Sequence, residues 1–157
     1  MNVKTLISRS PIFFILIIFL IAPTAVTGGD VVMLVTPEEA RMSVTRAVVE
    51  EIDNGPTIRI NSPENGSVLN GPFRLYVEIV KKSGGAEVNM KSLKVNYLKV
   101  VTINITSRVQ SYVKGTKLDV PEAEFPAGKH RTEIYIEDVD GNASRKLFTV
   151  TVNEPSE

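Results

Sequence analysis

The sequence predicts an all-β domain, a sandwich of about seven short strands over residues 56–153. Three observations point there. From Pro56 onward, apolar residues alternate with polar ones at a period of two, as in strands with one buried face. Turn signals built on Asn, Asp, Gly and Pro separate these runs roughly every 8–15 residues, the spacing of a sandwich. There are no internal repeats or low-complexity stretches, and the 129 residues from Gly29 onward suit one domain with a real core.

The first residues have a different character. Lys4 and Arg9 supply a positive start, and no acidic residue precedes Asp30. Residues Ile12 to Ala22 are apolar without a break, Pro23 ends the run, and Thr24, Ala25, Thr27, Gly28 and Gly29 are small. This is the pattern of a secretory signal. A spanning helix needs about 20 apolar residues, so the run is short for an anchor. Residues 1–28 are therefore expected to be a signal peptide, cut after Ala25 or Gly28. Retention as an N-terminal anchor is the alternative. There is no cysteine, which removes disulfides, thiolate metal sites and the acylated Cys of a lipoprotein. The exported chain is expected in the periplasm, at the cell surface or secreted, with no stable membrane anchor once the signal is cut.

Removing Lys4 and Arg9 from 18 basic residues leaves 16 against 18 acidic, a net charge near −2. That balance does not favour nucleic acid or an anionic membrane as partner. Three Asn-X-Ser/Thr sequons, at Asn65, Asn104 and Asn142, read as turn and strand residues with no glycan required.

Residues 29–55 read as a tether. Val31–Val35 is a short apolar run. Thr36-Pro37-Glu38-Glu39 is a helix start, with Thr as N-cap, Pro at N1 and Glu at N3. Val44, Val48 and Ile52 recur at a spacing of four, which suggests a short helix over 37–52. Ser43, Thr45 and Val48–Val49 weaken it, and Asn54-Gly55-Pro56 stops it.

The strands follow. Thr57–Asn61 alternates and ends at Ser62-Pro63; Asn65-Gly66 and Asn70-Gly71-Pro72 are turns. Phe73, Leu75, Val77 and Ile79 alternate with Arg74, Tyr76 and Glu78. Leu93, Val95 and Tyr97 mark a third strand, and Val100–Ile105 a fourth. Ile105, Val109 and Tyr112 fit a turn or two of helix closed by Gly115. Lys117–Phe125 contains Pro121, which makes any strand there an edge or a broken one. Pro126-Ala127-Gly128 is a turn; His130, Thr132, Ile134 and Ile136 then alternate with polar neighbours. Asp138–Asn142 is a hairpin connection, Leu147 to Val152 ends the sheet, and residues 154–157 are a polar tail.

These residues carry a resemblance. Ile58-Arg59-Ile60-Asn61-Ser62-Pro63, then Asn65-Gly66, Val68 and the strand from Phe73, resemble the opening of bacterial immunoglobulin-like (fibronectin III-like) domains. Pro126-Ala127-Gly128-Lys129-His130, followed by alternating apolar residues and Asp138-Val139-Asp140-Gly141-Asn142, resembles their ending. Leu93–Leu98 together with Pro126–His130 is also similar to small uncharacterised exported bacterial proteins carrying one such domain. The resemblance covers about 56–152. It implies an immunoglobulin-like sandwich used for adhesion, envelope attachment or accessory binding beside an enzyme. A fold of this kind hosts many roles.

Candidate sites are few. Asp138, Asp140 and Asn142 place three oxygen ligands at alternate positions, a calcium candidate; the loop lacks the Gly and Glu placements of an EF-hand. His130 is the only histidine, too few nitrogen ligands for zinc without help from carboxylates. No Gly-x-Ser-x-Gly elbow occurs. Glu122 with Glu124, and Glu133 with Glu137, share strand faces, where solvated surface competes with catalysis. Tyr76 and Tyr135 fall opposite the core parity and are candidates for a partner-binding or weak glycan-binding face, although there is no tryptophan platform. The expectation is a non-catalytic binding or structural module of the cell envelope. It would act on an envelope or extracellular protein through a sheet face or edge, without a resident cofactor. A calcium-dependent adhesion-type domain and a weak glycan-binding accessory domain are the alternatives.

Overall fold

The computed structural model describes residues 30–44 and 48–154. The expected signal peptide, residues 1–28, and the last three residues of the polar tail lie outside the described residues. In chain order the elements are β1 (Val32–Met33), α1 (Pro37–Arg41), β2 (Ile52–Asp53), β3 (Thr57–Ser62), β4 (Val68–Leu69), β5 (Phe73–Val80) and β6 (Val88–Leu98). Then come β7 (Thr102–Asn104), α2 (Thr106–Val109) running into a 3-10 turn (Gln110–Tyr112), β8 (Val113–Lys114), β9 (Lys117–Glu124), β10 (Gly128–Asp138) and β11 (Ala143–Val152).

The strands form two sheets packed face to face. One runs β1-β9-β5-β3 with β8 also on β9; the other runs β2-β11-β10-β6-β7 with β4 also on β11. The seven strands longer than two residues are those the alternation predicts, and the all-β sandwich is the observed fold. In β5 the apolar positions Phe73, Leu75, Val77 and Ile79 are buried and the residues between them are not. They meet Leu118 and Val120 of β9 and, across the sandwich, Val95, Tyr97, Ile134, Ile136, Phe148 and Val150. Ile105 and Val109, the apolar positions of the short helix, are fully buried in the same core.

Pro121 explains a break in β9. The β5–β9 register shifts between Leu75↔Val120 and Phe73↔Ala123. On the other side of β9, β8 pairs Lys117 and Leu118 while β1 pairs Ala123 and Glu124. Pro121 sits in the gap between them, where no ladder partner needs its missing N–H.

The segment read as a tether is built into the sandwich at both ends. Val32 and Met33 pair in parallel with Ala123 and Glu124, and the Leu34 N–H donates to the Glu124 carbonyl at 3.0 Å. Leu34 and Val35 are 0% exposed, and burying side chains of that size contributes about 1.5–3 kcal/mol each. At the other end Ile52 and Asp53 pair with Arg145 and Ser144. The helix has the expected capping box: the Glu39 N–H donates to Thr36 Oγ1 and the Thr36 N–H to Glu39 Oε2. It stops at Arg41 and does not reach residue 52. Met42 turns extended, and the Ser43 carbonyl accepts the Val100 N–H at 2.8 Å. Val44 and Val48 are exposed, so the spacing-of-four stripe has no surface to pack on, and a helix without a packed face is marginal.

Candidate functional site

The structure brings Asp138, Asp140 and Asn142 together in one turn, and gives Asp138 the central part. Asp138 is buried at the end of β10. Its Oδ1 accepts the backbone N–H groups of Asp140 at 3.0 Å and Asn142 at 2.9 Å, and its Oδ2 accepts the Asn142 carboxamide N–H at 2.9 Å. The Asn142 side chain first, then backbone N–H groups including that of Ala86, hold the Asp138 carboxyl below its ordinary range. The Asp138 carboxylate is thus hydrogen-bonded within its own turn. The turn therefore stabilises itself through its own polar groups. Among the described residues, no group of three or more His, Cys, Asp or Glu side chains is placed to share a metal ion.

Tyr76 and Tyr135 are both half-buried on outer faces, but on different sheets, so they do not form one surface. Tyr76 donates its hydroxyl to Glu78 at 2.7 Å, and the Arg74 guanidinium lies 4.8 Å from its ring centroid. Glu78 also accepts from Asn61 and pairs with Lys117, while Arg74 grips Asp119 through two contacts of 2.7 and 2.8 Å. Tyr135 donates to Glu137 and lies beneath Lys94 and Arg145. Each ring is thus part of a charged mat. Glu133 lies in the second mat, paired with Arg145 at 3.0 Å and bonded by Asn96 at 2.8 Å.

His130 belongs to the core, at 2% exposure. Its Nε2 is 2.7 Å from the Pro126 carbonyl, which can only accept, so the proton is on Nε2. Nδ1 is then the acceptor for the Tyr97 hydroxyl at 3.0 Å. Phe125 packs against both rings. Burial holds the imidazole below its ordinary pKa, and burial also pushes the Tyr97 phenol up to about 12. Both are neutral, mutually satisfied and closed to solvent.

Two charged groups that the sequence does not single out complete this end of the molecule. Lys99 is 4% exposed; its Nζ donates to the Ala40 carbonyl at 2.6 Å and lies 5.2 Å from the Tyr97 ring centroid. Burial pulls its pKa down. Arg108, on α2, reaches the loop after β1 and pairs with Glu39. No motif marks either residue, because each acts through a contact more than 50 positions away in the chain.

Among the described residues, no helix is long and apolar enough to cross a membrane. No protein-family model and no curated protein matches the sequence. Among solved structures, the chain is similar to an endo-beta-1,4-mannanase from Thermotoga petrophila, at 11% identity and a TM-score of 0.44. That match covers 69% of this chain and 21% of the mannanase, so the chain spans about a fifth of that protein. It is also similar to CopC from Methylosinus trichosporium OB3b, at 16% identity and a TM-score of 0.43, covering 65% of this chain and 96% of CopC. A PKD domain from the human VPS10 domain-containing receptor SorCS2 matches at 11% identity and a TM-score of 0.35, covering 74% and 88%. The sandwich assignment rests on the strand pairing itself.

Proposed function

We infer that this chain is a non-catalytic binding module of the cell envelope, and that it engages a protein partner at the outer edge of β3, where Lys146 Nζ already reaches the Ile58 carbonyl at 3.4 Å. The observation that carries this reading is edge length. Of the strands that end the two sheet orders, β1 and β2 have two residues and β7 has three, whereas β3 has six. A sheet edge presents unpaired N–H and C=O groups that template another strand. An added partner strand takes affinity from backbone bonds and specificity from alternate side chains. Ile58 turns into the core, and the exposed Arg59 and Asn61 line the outer row. A shallow cleft of about 170 Å³ runs beside the edge between Thr57–Ile58 and Ser144–Lys146. The sealed His130–Tyr97 pair supports a non-catalytic role, since the one histidine has no free nitrogen to move a proton. The asymmetry of Lys4 to Ala22 supports export.

A photo-cross-linking residue at Arg59 of the full chain tests this in an envelope extract of the source organism. The expected result is a discrete protein adduct from position 59 and none from Lys94 on the outer face of the other sheet. No adduct at 59, or equal adducts at both positions, overturns the edge reading.

A further inference from the structure

We propose that Asn70 is the site of a spontaneous, age-dependent modification, its conversion to aspartate and isoaspartate, and that the fold suppresses the same chemistry at Asn54 and Asn65. The sequence has three Asn-Gly pairs: Asn54-Gly55, Asn65-Gly66 and Asn70-Gly71. In such a pair the glycine backbone nitrogen gives up its proton to solvent and attacks the asparagine Cγ, an approach that glycine, with no Cβ, leaves uncrowded. The new C–N bond closes a five-membered succinimide. The Cγ–Nδ2 bond breaks, and ammonia leaves after taking a proton from solvent. Water then opens the ring. Opening at the side-chain carbonyl gives aspartate, and opening at the main-chain carbonyl gives isoaspartate. The net change is one water consumed and one ammonia released, with no oxidation or reduction.

Two of the three nucleophiles are withheld. The Gly55 N–H donates to the Ala143 carbonyl at 3.0 Å and to Ser144 Oγ at 3.1 Å, and Gly55 is buried. At the second pair, the Gly66 N–H donates to the Thr149 carbonyl at 2.7 Å, while the Thr149 N–H donates to Asn65 Oδ1 at 2.8 Å. Thr149 thus clamps both reacting groups, the backbone nitrogen and the carboxamide. These bonds must break before either nitrogen reaches its Cγ.

Asn70-Gly71 has no such restraint. It lies in the turn between β4 and β5, and Asn70 is exposed. Among the described residues the Gly71 N–H makes no hydrogen bond, and the Asn70 carboxamide meets a second surface carboxamide, that of Asn153, at 2.7 Å. Conversion there has a structural consequence. Asn70 and Gly71 line a cavity of about 630 Å³ together with Glu124 and Glu154, and among the described residues no basic side chain lines it. A new carboxylate at position 70 is a third beside those two, a like-charge arrangement that disfavours the charged folded form. In the isoaspartate product the main chain runs through the former side chain, which adds a methylene next to Leu69. The Leu69 carbonyl accepts the Asn153 N–H at 2.9 Å, at the end of the β4–β11 ladder.

Peptide mapping of the full chain, aged in mildly alkaline buffer, tests this, with peptide mass and isoaspartyl-methyltransferase labelling as readouts. Asn70 is expected to convert about tenfold faster than Asn54 and Asn65, the factor for one protecting hydrogen bond. In denaturant all three should convert at similar rates, which separates protection by the fold from the chemistry of the pair. Asn70→Gln, which requires a slower six-membered closure, should remove most of the acid formed by the native chain. Asn70→Asp should melt below the parent at neutral pH and approach it as pH falls through the carboxylate range. Four results overturn the proposal: Asn54 or Asn65 converting as fast as Asn70 in the native chain, Asn70 converting in denaturant alone, undiminished conversion in Asn70→Gln, or an Asn70→Asp chain as stable as the parent at neutral pH.

Discussion

Arg108 donates through Nη1 and Nη2 to both carboxylate oxygens of Glu39, at 2.7 and 2.6 Å, and its Nη1 also reaches the Leu34 carbonyl at 2.7 Å. One side chain from the middle of the chain thereby holds β1, the buried Leu34–Val35 pair and α1 against the sandwich. Arg108→Met should cost about 1.5–3 kcal/mol, the range for hydrogen bonds to charged groups. Hydrogen exchange at the Leu34 amide should rise before that of β10 does. Unchanged protection at Leu34 would show that apolar burial alone holds the segment.

The same pair sets an acid limb. Chiefly through its bonds with Arg108, Glu39 is held at about 2, below its ordinary 4.5. A carboxyl with a depressed folded pKa contributes stability that is complete above its unfolded value and lost as pH falls through the folded one. Melting temperature should therefore fall between about pH 4.5 and pH 2. Glu39→Gln should be less stable at neutral pH and lose less over that window. A variant with an unaltered pH slope would contradict this.

His130 imposes a second pH dependence, of opposite origin. Burial lowers its folded pKa below the ordinary 6.5, so the unfolded chain takes up the proton first. Stability should decline as pH drops through 6.5 and level off below the folded value. An NMR titration should show a neutral Nε2–H imidazole persisting below pH 6.5. Tyr97→Phe, which strips Nδ1 of its donor inside the core, should cost about 1–3 kcal/mol.

In the Asp138 turn, backbone and carboxamide N–H groups already take both carboxylate oxygens. Melting curves should overlay in calcium and in chelator, and Asp138→Ala should lower both equally. A rise in calcium that Asp138→Ala abolishes would establish the ion-binding reading of Asp138, Asp140 and Asn142 instead.

Leu34→Ala should cost about 2–5 kcal/mol, as for a buried leucine, whereas Val48→Ser should stay within about 0.5 kcal/mol. The two residues are equally apolar in sequence, yet one is 0% exposed and the other 85%. Chemical denaturation of both variants measures the contrast directly.

That contrast marks the boundary between local and tertiary information. The alternation in β5 and β10, the Thr36–Glu39 capping box and the Asp138–Asn142 turn were legible because each depends on residues within a few positions of one another. Parity likewise put Tyr76 and Tyr135 outside the core, but parity does not say which sheet a strand joins, and the two ended on opposite faces. Gly55 reads as a helix stop; in the fold it is also a contact, since a Cβ there would collide with the Asn142 carbonyl. By itself the sequence determined an all-β chain with one apolar face per strand. The tertiary structure alone decided that Val32–Val35 docks on β9 and that Lys99 is buried against the Tyr97 ring. The physical reason is that a period of two reports burial along a strand, whereas these placements depend on which strands meet and in what register.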